Sequence, residues 1–431
     1  MQVFAASLRA PAGRAFLKLM RAWATWDTGP GLPAAAAAYA ALFRALSAEG
    51  WAGDAWRAHV ATEVALDGNA YTTGAAPGPG LRAAATGDLA VLWEAVAGPA
   101  LESVRRRLQE AGVPAAPCRE LGPRRPEGLA AELAGGAGHW AALADALRTH
   151  GLQGHAGPFA RHLAFRWVPD GPGGAVAPVG HPDLPAPGDL VGYEAERRLV
   201  AANTERLLAG LPAHDVLLYG DRGTGKSTTV KALLRTYGGR GLRLVQLDRG
   251  ALPTLPALLE RLDGATQRFI VFVDDLSFED GETGWKDAKV ALQGGLRARP
   301  ANVCVYATSN RRHLVRERLS DRAAPGSRDA ARRSGAPGGA GDPDDPRQGD
   351  AVEERLSLAD RFGLTVVFAA PDQDLYLRIV RHLAESRGIP APEAELKAGA
   401  LRFALWQGGR SGRSARQFVD SLDPAPGHPD P

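Results

Sequence analysis

The stretch "DVLLYGDRGTGKSTTVKALL", Asp215 to Leu234, constrains the fold more than any other part of the chain. An apolar run, Val216 to Tyr219, passes straight into Gly220-Asp221-Arg222-Gly223-Thr224-Gly225-Lys226-Ser227, followed by Thr228, which satisfies G-x-x-x-x-G-K-[ST] in full. Gly220, Gly223 and Gly225 let the backbone curl, so that successive amide N–H groups face inward onto phosphate oxygens. Lys226 brings a point charge to the outer phosphates and Ser227 a hydroxyl for Mg²⁺. From Lys226 the residues open an amphipathic helix whose N-terminus favours an anion. A strand, a tight glycine loop and a helix in this order predict a phosphate-binding turn.

The flanking sequence has the texture such a sheet needs. "GLRLVQLD", "RFIVFVDD", "NVCVYATSN" and "LTVVFAA" are short, continuous apolar runs, separated by helical patterns such as "LPALLERL". Continuous rather than alternating apolar strands are buried on both faces, as in a parallel sheet with helices on either side. After Pro371 the pattern is helical to about Leu422. Residues 1–168 are rich in Ala, Leu and Arg at helical spacing. They hold Trp23, Trp26, Trp51, Trp56, Trp93, Trp140 and Trp167, read here as anchors of a small helical core. The expected organisation is a helical N-terminal domain (1–168) and a Pro/Gly linker (169–188). A nucleotide-binding α/β domain (189–370), a helical lid (371–422) and a tail (423–431) follow. Within the α/β domain, residues 322–350 carry balanced charge and many Gly and Pro residues, which predicts a disordered insertion.

Composition narrows the classes. At 431 residues, two or three domains are expected. A formal net charge of +3 is too small to argue nucleic-acid binding by itself. Two cysteines, Cys118 and Cys304, exclude a disulfide framework, and no Cys or His spacing suits zinc. The N-terminus lacks a secretory pattern, and the Ala-rich run Gly29 to Phe43 is too short to span a bilayer. A soluble cytoplasmic protein without a membrane partner is expected.

Two adjacent acids close the run "VFVDD". A nucleotide in a phosphate loop brings Mg²⁺, and a carboxylate at the end of a neighbouring strand holds that ion, often through water. Asp274 is therefore the expected metal-side acid, together with Ser227. Asp275 is placed to orient or deprotonate an attacking water, the alternative being a helix cap or a solvated loop acid.

In their order these motifs resemble the AAA+ ATPase superfamily. "DLVGYE" resembles its entry segment, which implies adenine contacts at Val191 and Gly192. "YATSN" resembles sensor 1, with Asn310 polarising the water or the γ-phosphate. "LADRF" resembles the segment carrying the arginine finger, making Arg361 a residue offered to a neighbouring subunit, with Arg311, Arg312, Arg316 and Arg318 as competitors. "SGRSARQF" resembles sensor 2, with Arg413 the better match and Arg416 the fallback.

A closer similarity is to a bacterial family known as a domain of unknown function, eight-fifteen. It is carried by "LLYGDRGTGKSTTVKALL", "FVDDLSFEDGETGWKDAKVALQGGL", "NVCVYATSNRRHL", "LSLADRFGL" and "SGRSARQFVDSL", between Gly188 and Leu422. The superfamily usually has Glu at position 275. The resemblance implies a homo-oligomeric ATPase, in a ring or open ring, that binds ATP and Mg²⁺ and acts on an unknown client, with nucleic acid possible as the partner. Arg suits a finger because its guanidinium is permanently charged and bidentate toward phosphate. The alternatives are a nucleotide-gated binding module with little hydrolysis, or a small-molecule P-loop kinase.

Overall fold

In the computed structural model, the described residues are 1–26, 31–74, 76–98, 100–136, 139–170, 174–276, 299–310, 361–389 and 392–422. They fall into two compact units, residues 1–161 and 162–431.

The first unit is helical: α1 (Pro11–Ala24), α2 (Gly31–Glu49), α3 (Ala55–Ala65), α4 (Pro79–Ala97), α5 (Ala100–Glu110), α6 (Gly128–Gly135), α7 (Ala144–His150) and α8 (Pro158–Arg161). Pro starts α1 and α4, where its missing N–H costs nothing. Asp54 caps α3 by accepting from the Arg57 backbone N–H. Trp51, Trp56 and Trp140 are fully buried in this core, as expected of tryptophan anchors. By length and composition α2 could cross a bilayer. Here it buries Ala35, Tyr39, Leu42 and Leu46 in the helical core instead.

The second unit is built on a seven-stranded sheet in the order β2-β1-β4-β5-β6-β3-β7. Its strands are β1 (Ala164–Val168), β2 (Ala175–Val179), β3 (Val216–Gly220), β4 (Leu242–Gln246), β5 (Arg268–Val273), β6 (Val303–Asn310) and β7 (Leu364–Phe368). Among the described strands of this sheet, only the β1–β2 pair is antiparallel. The central strands are largely apolar because helices cover both faces. β5 buries Phe269, Ile270, Val271, Phe272 and Val273, and β3 buries Val216, Leu217 and Leu218. The helices are α9 (Glu194–Leu208), α10 (Lys226–Tyr237) and α11 (Leu255–Leu262). The lid follows as α12 (Gln373–Ser386), α13 (Glu393–Trp406) and α14 (Gly412–Asp420), packed around Tyr376, Val380, Ala400, Phe418 and Val419. Asp372 caps α12 through the Leu375 N–H, and Ser411 and Ser414 form a capping box on α14. The expected α/β parallel sheet, with a helical lid behind it and a helical region before it, is the observed fold.

The expected boundary at residue 168 needs correction. Residues 164–168 form β1, which joins the edge of the sheet beside β4, so they belong with the second unit. Trp167 leaves the helical core for the same reason. It is buried in this unit, with its indole N–H donating to Thr254 Oγ1 at 2.8 Å. The predicted linker also contains regular structure, because β2 pairs with β1 from Ala175 to Val179. Pro178 is tolerated there because β2 is an edge strand, where a missing donor faces no partner. Residues 322–350, and Arg311, Arg312, Arg316 and Arg318, lie outside the described residues.

Candidate functional site

The glycine loop leaves the C-terminal end of β3 and turns into α10. Its three glycines adopt φ values of +148° (Gly220), +74° (Gly223) and +89° (Gly225). Packing adds a second constraint at Gly220, where a Cβ would stand 1.9 Å from the Phe368 carbonyl oxygen of β7. Gly225 is the N-cap of α10 and offers no side chain, so no side-chain acceptor occupies that helix end. A free helix N-terminus of this kind is an anion site.

Lys226 is buried, 7% exposed, at the centre of the loop. Its Nζ donates to the carbonyls of Gly220 at 3.0 Å and Asp221 at 2.8 Å, and lies 3.4 Å from Asn310 Oδ1. Burial pulls its pKa below the ordinary lysine value, against the opposing pull of Asp221, Asp275 and Asp274. Asp221 accepts from the Ala370 N–H at 2.9 Å, and Thr224 donates to the Asp221 carbonyl at 2.9 Å, so the loop is tied at both ends. Arg222 is exposed at the loop's outer edge, and Thr228 is half-buried in the first turn of α10.

The two acids lie at the end of β5, beside the loop. Ser227 Oγ and Asp274 Oδ1 are 2.6 Å apart. A hydroxyl and a carboxylate side by side are the hard oxygen donors that Mg²⁺ takes alongside phosphate oxygens and water. Among the described residues no cluster of three or more His, Cys, Asp or Glu side chains forms a closed metal cage. The donor set thus fits an ion bound chiefly through nucleotide and water.

Asp275 adopts the left-handed conformation, with φ +54°. That is costly for a residue with a Cβ and needs surrounding bonds to hold it. Asn310, the last residue of β6, supplies one: its Nδ2 donates to Asp275 Oδ1 at 2.7 Å. Thr308, two residues earlier on β6, supplies another. Its hydroxyl accepts from the Asp275 N–H at 2.9 Å and donates to Asp274 Oδ1 at 2.6 Å. Thr308 is 2% exposed and bridges both acids. The sequence reading missed it, although it lies inside the quoted "YATSN". Alternation along a strand places residues 308 and 310 on one face, which was the available signal.

The lid meets the loop directly. The Gly412 N–H, in the first turn of α14, donates to the Gly223 carbonyl at 2.8 Å. A Cβ on Gly223 would lie 3.1 Å from the Cβ atoms of Arg413 and Ser411. Between loop and lid opens a cleft of about 1010 Å³ lined by Asp221, Arg222, Pro371, Gln373, Leu405 and Arg413, among others. Arg416 is exposed and is not part of that lining. Gly192 is buried at φ +81° just before α9, where a Cβ would stand 2.3 Å from Leu375 of the lid, and Val191 is half-buried beside it. Tyr193 anchors this entry segment, its hydroxyl donating to the Ala369 carbonyl at 2.6 Å.

Residues 220–228, Asp274, Asp275, Asn310 and Arg413 are thereby gathered at one end of the sheet. Arg361 is not among them. It is exposed and precedes β7, whose residues 364–368 run parallel to 216–220 of β3. The five residues of β7 span roughly 13 Å at 3.3 Å per residue, so Arg361 sits at the end of the sheet opposite its own glycine loop.

The second unit thus joins a parallel sheet, a glycine loop after β3, paired acids at the end of β5 one strand beyond β6, a polar residue closing β6 and a helical lid. The family model described as "Protein of unknown function (DUF815)" matches residues 160–425, and the chain belongs to that family. The match begins within two residues of the structural boundary at 161/162. No curated protein matches the chain. Among solved structures, the chain is similar to RuvB of Thermotoga maritima, titled a Holliday junction branch migration motor. The identity is 15%, the TM-score 0.32, and the likeness covers 55% of this chain and 63% of that one. A variant of the same RuvB gives 13% identity and a TM-score of 0.34, over 54% of this chain and 61% of that one. The chain thus spans less than two thirds of the RuvB chains it matches.

Proposed function

We propose that the second unit is a Mg²⁺-dependent ATPase whose site is completed by Arg361 of a neighbouring copy. The observation that carries this reading is the joint placement of Lys226, Ser227, Asp274 and Asp275 around one glycine loop. In this reading Lys226 exchanges its carbonyl partners for β- and γ-phosphate oxygens. Val191 and Gly192 face the base, and Arg413 approaches the phosphates from the lid. Ser227 and Asp274 hold Mg²⁺, which neutralises phosphate charge when bound. Asp275 orients the attacking water and takes its proton as the water oxygen bonds to the γ-phosphorus. The bond to the β-phosphate oxygen breaks, leaving ADP and inorganic phosphate. Asn310 positions Asp275 and the water.

Arg361 cannot serve its own site from the opposite end of the sheet, which supports a role in trans and hence assembly in a ring or open ring. Loss of the γ-phosphate would then shift the lid against the sheet, through the Gly412–Gly223 contact, and act on a client. A cytoplasmic location belongs to the same reading. The test is phosphate release by the full chain with and without Mg²⁺. Lys226→Ala is expected to abolish it, and equal release by wild type and Lys226→Ala would sink the proposal.

A second reading, a nucleotide-gated module with little turnover, draws on the Asn310–Asp275 bond, which occupies the carboxylate. Asp is also one methylene shorter than Glu. Wild-type turnover near background, unchanged by Asp275→Asn, would favour it.

A further inference from the structure

The N-terminal helical unit carries a basic and aromatic face that the nucleotide site does not use. Residues 1–26 hold Arg9, Arg14, Lys18 and Arg21 and no Asp or Glu. On α1 the last three recur at i, i+4 and i+7 and are all exposed, so they form one solvent-facing stripe. The opposite face of α1 is spent on the core, where Ala12, Ala15, Phe16, Leu19 and Ala22 are buried. Among the described residues, Arg14, Lys18 and Arg21 take part in no ion pair. Arg14 donates through Nη1 to the Arg9 carbonyl at 2.6 Å, which leaves its charge, like those of Lys18 and Arg21, without an acidic partner among the described residues.

The stripe ends in an aromatic pair. Trp23 and Trp26 meet edge-on, with centroids 5.3 Å apart, and both are half-buried. Arg107 of α5 lies over the two rings, 5.5 Å from Trp23 and 5.1 Å from Trp26, with Arg106 exposed beside it. Cations thus continue from α1 onto α5 across two indoles.

We propose that this face binds single-stranded nucleic acid. At 1.5 Å per residue the stripe from Arg14 to Arg21 extends roughly 10 Å. Three exposed cations along that length can each neutralise one backbone phosphate of a strand lying on the stripe. Indoles flanked by guanidinium groups are stacking partners for bases, which only an unpaired strand exposes. An anionic membrane fits less well, because α1 has already buried the apolar face it would need to insert.

The test uses the full chain and fluorescein-labelled 20-nucleotide single strands of RNA and DNA. A duplex of the same sequence and vesicles of phosphatidylserine and phosphatidylcholine serve as competitors. Single strands are expected to bind in low salt, with log affinity falling against log salt at a slope of about −2, from roughly 0.7 per phosphate and three phosphates. The triple variant Arg14→Glu, Lys18→Glu, Arg21→Glu should weaken binding at least tenfold and flatten that slope. Trp26→Leu keeps an apolar side chain in place and should weaken binding while leaving the slope unchanged. Since Arg14, Lys18 and Arg21 are exposed and make no ion pair among the described residues, the triple variant should melt close to wild type, and the milder Gln triple should lose affinity in part. The proposal is overturned by unchanged affinity in either triple variant, by no binding to single strands in low salt, or by preference for the duplex or the vesicles.

Discussion

Thr308→Val isolates what holds the paired acids in place. Valine keeps the shape of threonine at a position that is 2% exposed, so packing is preserved while the hydroxyl is removed. Two bonds go with it: the 2.6 Å donation to Asp274 Oδ1 and the 2.9 Å acceptance from the Asp275 N–H. A hydrogen bond to a charged group contributes about 1.5–3 kcal/mol. Both carboxylates are exposed, so water replaces part of that, and the lower figure applies. If the loss falls on the transition state, where Asp275 must meet the water, about 1.5 kcal/mol is roughly a tenfold drop in kcat. The ATP dissociation constant should stay within about twofold, because Lys226 and the loop amides are untouched. Steady-state phosphate release, with nucleotide binding by titration calorimetry, measures both quantities. Thr308→Ser restores the hydroxyl and should recover most of the rate. A Thr308→Val protein with wild-type kcat, or a Thr308→Ser protein as impaired as Thr308→Val, would refute the bridging role.

Three further outcomes are expected. Gly223→Val forces a β-branched residue to φ +74° against Arg413 and Ser411. It should weaken ATP binding and lower the melting temperature, by about 1–3 kcal/mol of backbone strain plus the displaced lid. Asp275→Asn should retain ATP and Mg²⁺ binding while lowering turnover at least a hundredfold, within the range typical of a lost general base. In the N-terminal unit, burial raises the Glu49 pKa, but bonds with His59 at 2.9 Å and Trp51 at 2.5 Å outweigh it and hold the carboxyl below its usual value. A depressed carboxyl pKa stabilises the fold above the unfolded value near 4.3 and loses that contribution as pH falls through the folded value. Glu49→Gln should therefore melt lower than wild type at pH 7, and the gap should narrow as pH falls below the unfolded value toward the folded one, as followed by circular dichroism.

The sheet was legible because its strands are apolar on both faces. "RFIVFV" and "VLLY" are too short for a buried helix and are closed by turn or acidic residues, which favours strands. The loop and Asp274 were legible because glycine spacing and a strand-end acid each answer a physical demand of a bound phosphate. Thr308 was not, since one threonine in an apolar run looks like ordinary β-propensity until the partner strand's acids are positioned against it. β2 was hidden for the opposite reason. "AVAPV" is exposed and carries a proline, so its local chemistry reads as linker, and only pairing with β1 at the sheet edge makes it a strand. Trp167 was grouped with the helical core by composition. Its location depends on that same edge pairing, which no local pattern announces.

Subunit mixing tests the central claim, a Mg²⁺-ATP site completed by Arg361 from a neighbouring copy. Lys226→Ala lacks a working loop but keeps the finger, and Arg361→Ala lacks the finger but keeps the loop. Each alone should release phosphate near background. In a one-to-one mixture, half the subunits keep the loop and half of those meet a neighbour with the finger, so activity should recover to about one quarter of wild type per subunit. Recovery of that order is the predicted result. A mixture no more active than its components, or an Arg361→Ala protein with full activity alone, would contradict it.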